Sequence, residues 1–287
     1  MRATVRLELP REAPGFDYPA YLRARGIDVG ACYPQHWTVE TRGVGNDATV
    51  WLRDIRRGAI ANIARTFPEP AAALVGGVLI GERAVPPDDV THDLRATGTS
   101  HLIVVSGQNV ALLLGVVVAG LPVFMSRRRA ALIALPLLPA YVGLTGGDPP
   151  VVRAALMAVG IVLAGVTGRR TPGWLYLIYA IAIMLGLHPL LARDVSFQLS
   201  ATATAGVLLV APPLRNALLA ALRPRDGLPA AIVAASAVST AASLAVLPVQ
   251  AATFHTLSTV QVPANLIVAP LHEATALVGV PAALLGW

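Results

Sequence analysis

Between Ser100 and Met125 the chain reads SHLIVVSGQNVALLLGVVVAGLPVFM. The polar interruptions His101, Ser106, Gln108 and Asn109 lie near its start, and its length exceeds the roughly 20 residues a helix needs to cross a bilayer's hydrocarbon. Further apolar segments come after it: Ala131–Tyr141 with its apolar flank, Val151–Val166, Gly173–Leu187, Ser196–Val210, Leu228–Val249 and Val260–Leu285. Apolar residues make up 55% of the 287 positions and charged residues 13%. A soluble domain of this size could not cover so much apolar surface with polar residues. The expected fold is mainly α, a polytopic helical membrane bundle with about seven crossings from residue 98 onward. Some segments are short for a crossing, which predicts broken or re-entrant helices whose polar groups are satisfied inside the protein.

The distribution of charge says more than its total of +6. Every basic residue is Arg. Arg127, Arg128 and Arg129 share one link, Arg169 and Arg170 a second, and Arg215, Arg223 and Arg225 a third, whereas the alternate links around Asp148, around Arg193 and Asp194, and around His255 carry little net charge. Short Arg-rich loops stay on the cytoplasmic side, so the bundle is expected to start outside, finish inside and lie in the cytoplasmic (inner) membrane as a multi-pass protein. Cys32 is the only cysteine, which excludes an intrachain disulfide.

Residues 1–70 differ from the rest. Val5, Leu7 and Leu9 alternate with Arg6 and Glu8 before Pro10, a short strand signal that opens a small, partly β region punctuated by glycines. Arg53 to Phe67 reads as an amphipathic helix, with Leu52, Ile55, Ala59, Ile60 and Ile63 mostly on one face and Arg53, Arg56, Arg57 and Arg65 around the rest. Such a helix could lie on the membrane surface or cover the small domain. Ala71–Ile80 is apolar but too short to cross, and Pro86, Pro87, Asp88 and Asp89 interrupt any helical continuation from it. The organisation is therefore 1–70 as an outer region with its linker, 71–97 as a short helical or re-entrant connector, and 98–287 as the membrane core. Met1–Pro10 has no apolar leader to carry an outer domain across, so a longer protein with earlier membrane segments is expected, and the abrupt end at Trp287 points to a further domain.

Polar side chains inside apolar segments need partners or water, since an unpaired polar group costs several kcal/mol in hydrocarbon. His101, Ser106 and Asn109 are the first such set, with Gly107 admitting close packing or a break in the helix. Ser106 and Asn109 lie one turn apart. Next is Arg153, one turn inside the helix that Pro150 begins; it either snorkels to the interface or turns its planar fork inward toward a phosphate or a neighbouring helix. Gln198 needs an external partner more than Ser200, Thr202 and Thr204, whose hydroxyls bond their own helix backbone. Asn265, between Pro263 and Pro270, marks either an unwound point facing a pathway or a kink satisfied locally. These groups serve a conduit or hold the bundle together.

Soluble catalytic patterns are absent from the sequence: it has no HExxH helix, no paired cysteine ligands and no GxxxxGK phosphate loop. No third group orients Ser106 and His101 as a nucleophile and base. The expectation is a protein that is not an enzyme, with no metal and no cofactor.

Four stretches, His101–Leu102–Ile103–Val104–Val105–Ser106–Gly107, Arg153–Ala154–Ala155–Leu156–Met157, Phe197–Gln198–Leu199–Ser200 and Asn265–Leu266–Ile267–Val268–Ala269–Pro270, occur in an order and spacing that resemble the ComEC-type competence family. The resemblance covers roughly residues 70–285. It implies the membrane core of a channel that passes single-stranded DNA during natural transformation, working with competence machinery and a separate or missing nuclease, and able to form a homo-oligomer. Where the family pattern has a second histidine this chain has Asn109, so proton exchange is unavailable there. A strand carrying one charge per nucleotide needs a wet, polar groove. On the resemblance, His101, Ser106, Gly107, Asn109, Arg153, Gln198 and Asn265 are the lining candidates, and the Arg loops attract the emerging strand or simply set topology. A small-solute or proton-coupled transporter and a non-conducting subunit of an uptake complex are the alternatives.

Overall fold

The computed structural model describes residues 47–82, 88–99, 107, 109–111, 127–168, 171–224, 226–254 and 260–285, together with residues 2–4, 7–8, 19, 22, 30–31 and 36–38 of the N-terminal stretch. The protein is mainly α-helical. Near the N-terminus the expected strand is two short ones: β1 (Arg2–Thr4) pairs antiparallel with β4 (His36–Thr38), and β2 (Leu7–Glu8) with β3 (Gly30–Ala31). The remaining elements are the helices α1 (Asp47–Thr66), α2 (Ala71–Ile80), α3 (Asp88–Ala96), α4 (Arg127–Leu144), α5 (Pro149–Thr167), α6 (Gly173–Leu187), α7 (Val195–Ala205), α8 (Ala211–Leu222), α9 (Leu228–Phe254) and α10 (Gln261–Leu285).

Helix ends obey local chemistry. Pro149 and Pro150 occupy the first turn of α5, where a missing N–H leaves nothing unpaired, and Gly168 ends it in the left-handed conformation at φ 72°. The Asp194 carboxylate accepts from the Phe197 amide at 2.8 Å and so caps α7. The helix then passes through a π-helical turn, Gly206–Val210, into α8, which makes the whole stretch 28 residues long. The sequence expectation ended this span at Val210. Its continuation places Arg215 on a helix rather than in a loop, and the turn itself comes at Arg223 with φ 43°.

Among the described residues three stretches are long and apolar enough to cross a membrane: α5, α7 through α8, and α9. Gly206 makes their packing close. A Cβ there would lie 2.6 Å from the Ala241 carbonyl oxygen and 2.6 Å from Ala245 Cβ, so α7 and α9 meet backbone to backbone.

The apolar stripe of the amphipathic helix α1 packs against α2 and α10. Ile63 is buried against Val75, Val78, Leu79 and Ile80 of α2 and Ala276 of α10. The centre of that stripe is Arg56, with Leu52, Ala59, Ile60 and Ile63 four before and three, four and seven after it; Ile55, assigned to the apolar face from the sequence, is exposed. Helix α10 also departs from expectation. It runs unbroken through Pro263 and Pro270, so Asn265 is helical and not at an unwound point.

The C-terminal ends of α4 and α10 meet the same helix. Ala283 and Leu144 pack against the same apolar cluster, and α1 binds both ends: Asn62 Nδ2 donates to Ala283 O at 3.0 Å and Arg56 Nη1 to Leu144 O at 3.3 Å. Six residues of helix rise about 9 Å, so the C-terminal ends of α4 and α10 come close together. The physical reason is that the polar and small residues of α10 find their partners on α1 and α2.

Candidate functional site

Helix α2 is about 15 Å long, half a membrane crossing, and its carbonyl end lies inside protein. A helix leaves its last carbonyls without intrahelical donors. Two are closed by the chain itself: Gly81, at φ 68°, donates to Gly77 O at 3.1 Å and Glu82 to Gly76 O at 3.2 Å. Three further carbonyls at this end are closed from three directions. Asn109 Nδ2 donates to Val78 O, Tyr141 Oη to Leu79 O at 3.1 Å, and Arg56 Nη2 to Gly81 O at 3.1 Å. Arg56 also pairs with Glu82 at 3.5 Å. A cation over two helix C-termini complements the negative ends of their dipoles.

Asn109 is 6% exposed and His272 4%. Because the Val78 carbonyl requires a donor, the amide nitrogen of Asn109 faces α2 and its Oδ1 faces His272 Nε2 at 3.2 Å. An amide oxygen only accepts, so the imidazole carries its proton on Nε2. The Tyr141 hydroxyl closes the neighbouring carbonyl, Leu79 O, from α4. Asn109 thus joins α2 and α10 at a single buried point.

Arg153 turns inward. It is 7% exposed, its Nη1 donates to the Ser200 carbonyl on α7, and its Nε has no hydrogen-bond partner among the described residues. Gly107 gives the guanidinium its room: a Cβ there would lie 3.1 Å from Arg153 Nη2 and 3.1 Å from Ala154 Cβ. Beside this point Val110, Leu138, Val151, Ala155 and Ala158 form a closed apolar cluster.

Gly107, Asn109 and Arg153 are therefore gathered around the start of α5 and its neighbours. Gln198 is not part of that group; its Nε2 donates to Ala192 O at 2.8 Å and secures the turn before α7. Asn265 lies on the His272 face of α10 two turns earlier, and its Oδ1 is buried without a hydrogen-bond partner among the described residues. His101 and Ser106 lie outside the described residues, as do Arg169, Arg170 and Arg225. Arg127 and Arg128 begin α4, with side chains outside the described set, while Arg129, Arg215 and Arg223 are exposed. Arg129 and Arg223 lie at helix ends opposite a cleft of about 590 Å³ lined by Arg56, Gly81, Asp148, Pro149, Leu190 and Asp194 among others.

Sequence reasoning missed Arg56, Tyr141 and Asn62 and left His272 out of the site. The signal for Arg56 was present, since an arginine in the middle of an apolar stripe needs a polar partner. For Tyr141 and Asn62 no sequence signal names a carbonyl on another helix.

Apolar helices of membrane-crossing length, close glycine contacts and a half-helix capped by side chains define a helical membrane protein. The family model described as Competence protein matches residues 78–287, and the chain belongs to that family. It is 27% identical over 97% of its length to "ComE operon protein 3" of Bacillus subtilis (strain 168), covering 35% of that protein. It is also 27% identical over 76% of its length to "Uncharacterized protein YcaI" of Escherichia coli (strain K12), covering 29% of it. The chain thus spans about a third of the length of these relatives. No solved structure matches it.

Proposed function

We propose that this chain is the membrane core of a DNA-uptake apparatus, seated in the cytoplasmic membrane as a multi-pass protein, and that it passes one DNA strand during natural transformation without itself catalysing a reaction. Membership of the Competence protein family over residues 78–287 carries this reading. The inward guanidinium of Arg153 beside Gly107 supports it, because an arginine held in a bundle interior suits a phosphodiester better than an anchor to lipid. On this reading residues 1–70 belong to an outer region, 71–97 to a connector and 98–287 to the conduit. The partners are single-stranded DNA, other competence proteins and a nuclease acting on the second strand.

The test is DNA uptake into cells whose own copy carries Arg153→Gln, at matched membrane abundance, with Arg129→Gln as an exposed control. Uptake should fall about tenfold or more for Arg153→Gln, as expected from loss of a charge-assisted contact, and stay within about twofold for the control. Equal uptake in wild type and Arg153→Gln would remove Arg153 from the path. Photo-crosslinking of labelled single strands at Gly107 and Asn265 tests passage directly; crosslinks confined to Arg129 and Arg223 would mean that DNA touches only the far surface. A proton-coupled transporter is the second reading, favoured by buried His272 against Asn109; proton flux without DNA would select it.

A further inference from the structure

Around Gly107 and Arg153 the packing is shut, for Val110, Leu138 and Val151 are at most 1% exposed. A conduit for a strand, the reading on which this inference rests, therefore opens only if an element moves. We propose that α2 is that element: a plug seated between α1 and α10 and latched at its carbonyl end by Asn109, Tyr141 and Arg56.

Several features set α2 apart from the crossing helices. It spans ten residues, too few to be held by lipid on both sides, and eight of them are buried. Its seat on α10 consists of small residues, Ala276 and Gly279, and a Cβ on Gly279 would meet Leu79 Cδ1 at 2.6 Å and Val75 Cγ1 at 3.0 Å. The helix ends at left-handed Gly81, a position where the chain can swivel at little steric cost. Its ties to Asn109, Tyr141 and Arg56 are side-chain bonds to terminal carbonyls, so α2 can leave its seat without breaking a hydrogen bond of its own helix. Arg56 and Gly81 also line the cleft, which puts the latch where an arriving strand meets the bundle. Phosphate oxygens there would compete with Glu82 and the carbonyls for the guanidinium.

A disulfide between α2 and its seat tests the movement. The 3.0 Å from a Gly279 Cβ to Val75 Cγ1 matches the separation of about 3.0 Å between a Cβ and the far sulfur of a disulfide. Val75→Cys/Gly279→Cys, in a cysteine-free background of the full-length protein, should crosslink on oxidation, cut DNA uptake at least about tenfold and recover it with reductant. Crosslinked protein that takes up DNA at the reduced rate overturns the plug and leaves the DNA reading standing. A second measurement uses no DNA. Ala276→Cys, buried beneath α2, is labelled with a membrane-impermeant maleimide in the background of Tyr141→Phe, which removes one hydroxyl and little volume, and of Asn109→Leu. Labelling should be about tenfold faster for each than with the latch intact, the shift expected from one lost buried hydrogen bond. Unchanged labelling in both overturns the latch. Faster labelling in a protein that never takes up DNA would instead keep the moving element and reject DNA as cargo.

Discussion

One arginine of α1 shows how much a single side chain can hold in a membrane-adjacent fold. Arg56 closes carbonyls at the ends of α2 and α4 and pairs with Glu82, while its neighbour Arg57, one position on, faces outward with Asp54 at 3.6 Å. The two residues are chemically identical and differ only in helix face. Arg56→Ala leaves two partly buried carbonyls and a carboxylate without their donor and should cost about 2 kcal/mol, whereas Arg57→Ala should cost less than about 0.5 kcal/mol. Thermal unfolding of both variants in detergent measures the difference, and equal melting temperatures would mean that Arg56 closes nothing of consequence. Asn109 makes a related point. The sequence marks it as a polar group needing an explanation in an apolar segment, and the structure gives one in which both amide atoms are used. Its partners sit 31 positions before it and 163 after it, so no reading of local spacing could have named them.

At the scale of elements, helix type and extent were largely legible. Gly173–Leu187 was bounded correctly from its apolar run and flanking Pro172, and the start of α5 was readable from its proline pair. The errors came where a helix continued past an expected end. Proline in the first turn of a helix costs no hydrogen bond, so Pro263 fits the start of α10 without a break. The π-helical turn beginning at Gly206 carried the next helix onward to Leu222. That glycine is also where contact is tightest. Gly206→Ala should destabilise the protein by about 2 kcal/mol or more, because its Cβ meets the α9 backbone rather than a side chain able to yield. Gly165→Ala, with nothing within 4 Å of the new atom, should be neutral or stabilise by up to about 1 kcal/mol through helix propensity. Denaturant titration in micelles distinguishes them, and similar midpoints would contradict the close crossing of α7 and α9.

For the whole molecule, the contacts of α10 change the count of faces. Alternating arginine clusters suggest a regular series of crossings, whereas Ala283 and Leu144 lie against one cluster, which predicts that the end of α10 returns to the cleft face. Single cysteines in a Cys32→Ser background give the test. An impermeant thiol reagent should label Leu190→Cys and Leu285→Cys from one side of the membrane, and Arg129→Cys and Arg223→Cys from the other. Labelling of Leu285→Cys together with Arg223→Cys would restore the simpler topology.

The sequence by itself determined that this is a helical membrane protein, which segments are apolar and which polar residues interrupt them. Those properties are set by composition along a few helical turns, where transfer to hydrocarbon and backbone satisfaction decide the outcome. Only the tertiary structure decided where the interrupting groups find partners: Asn109 at the end of α2, Arg153 against Ser200, and Arg56 across two helix ends. A buried polar group accepts any donor or acceptor with the right geometry, and geometry between distant helices is fixed by packing, which one-dimensional periodicity does not contain.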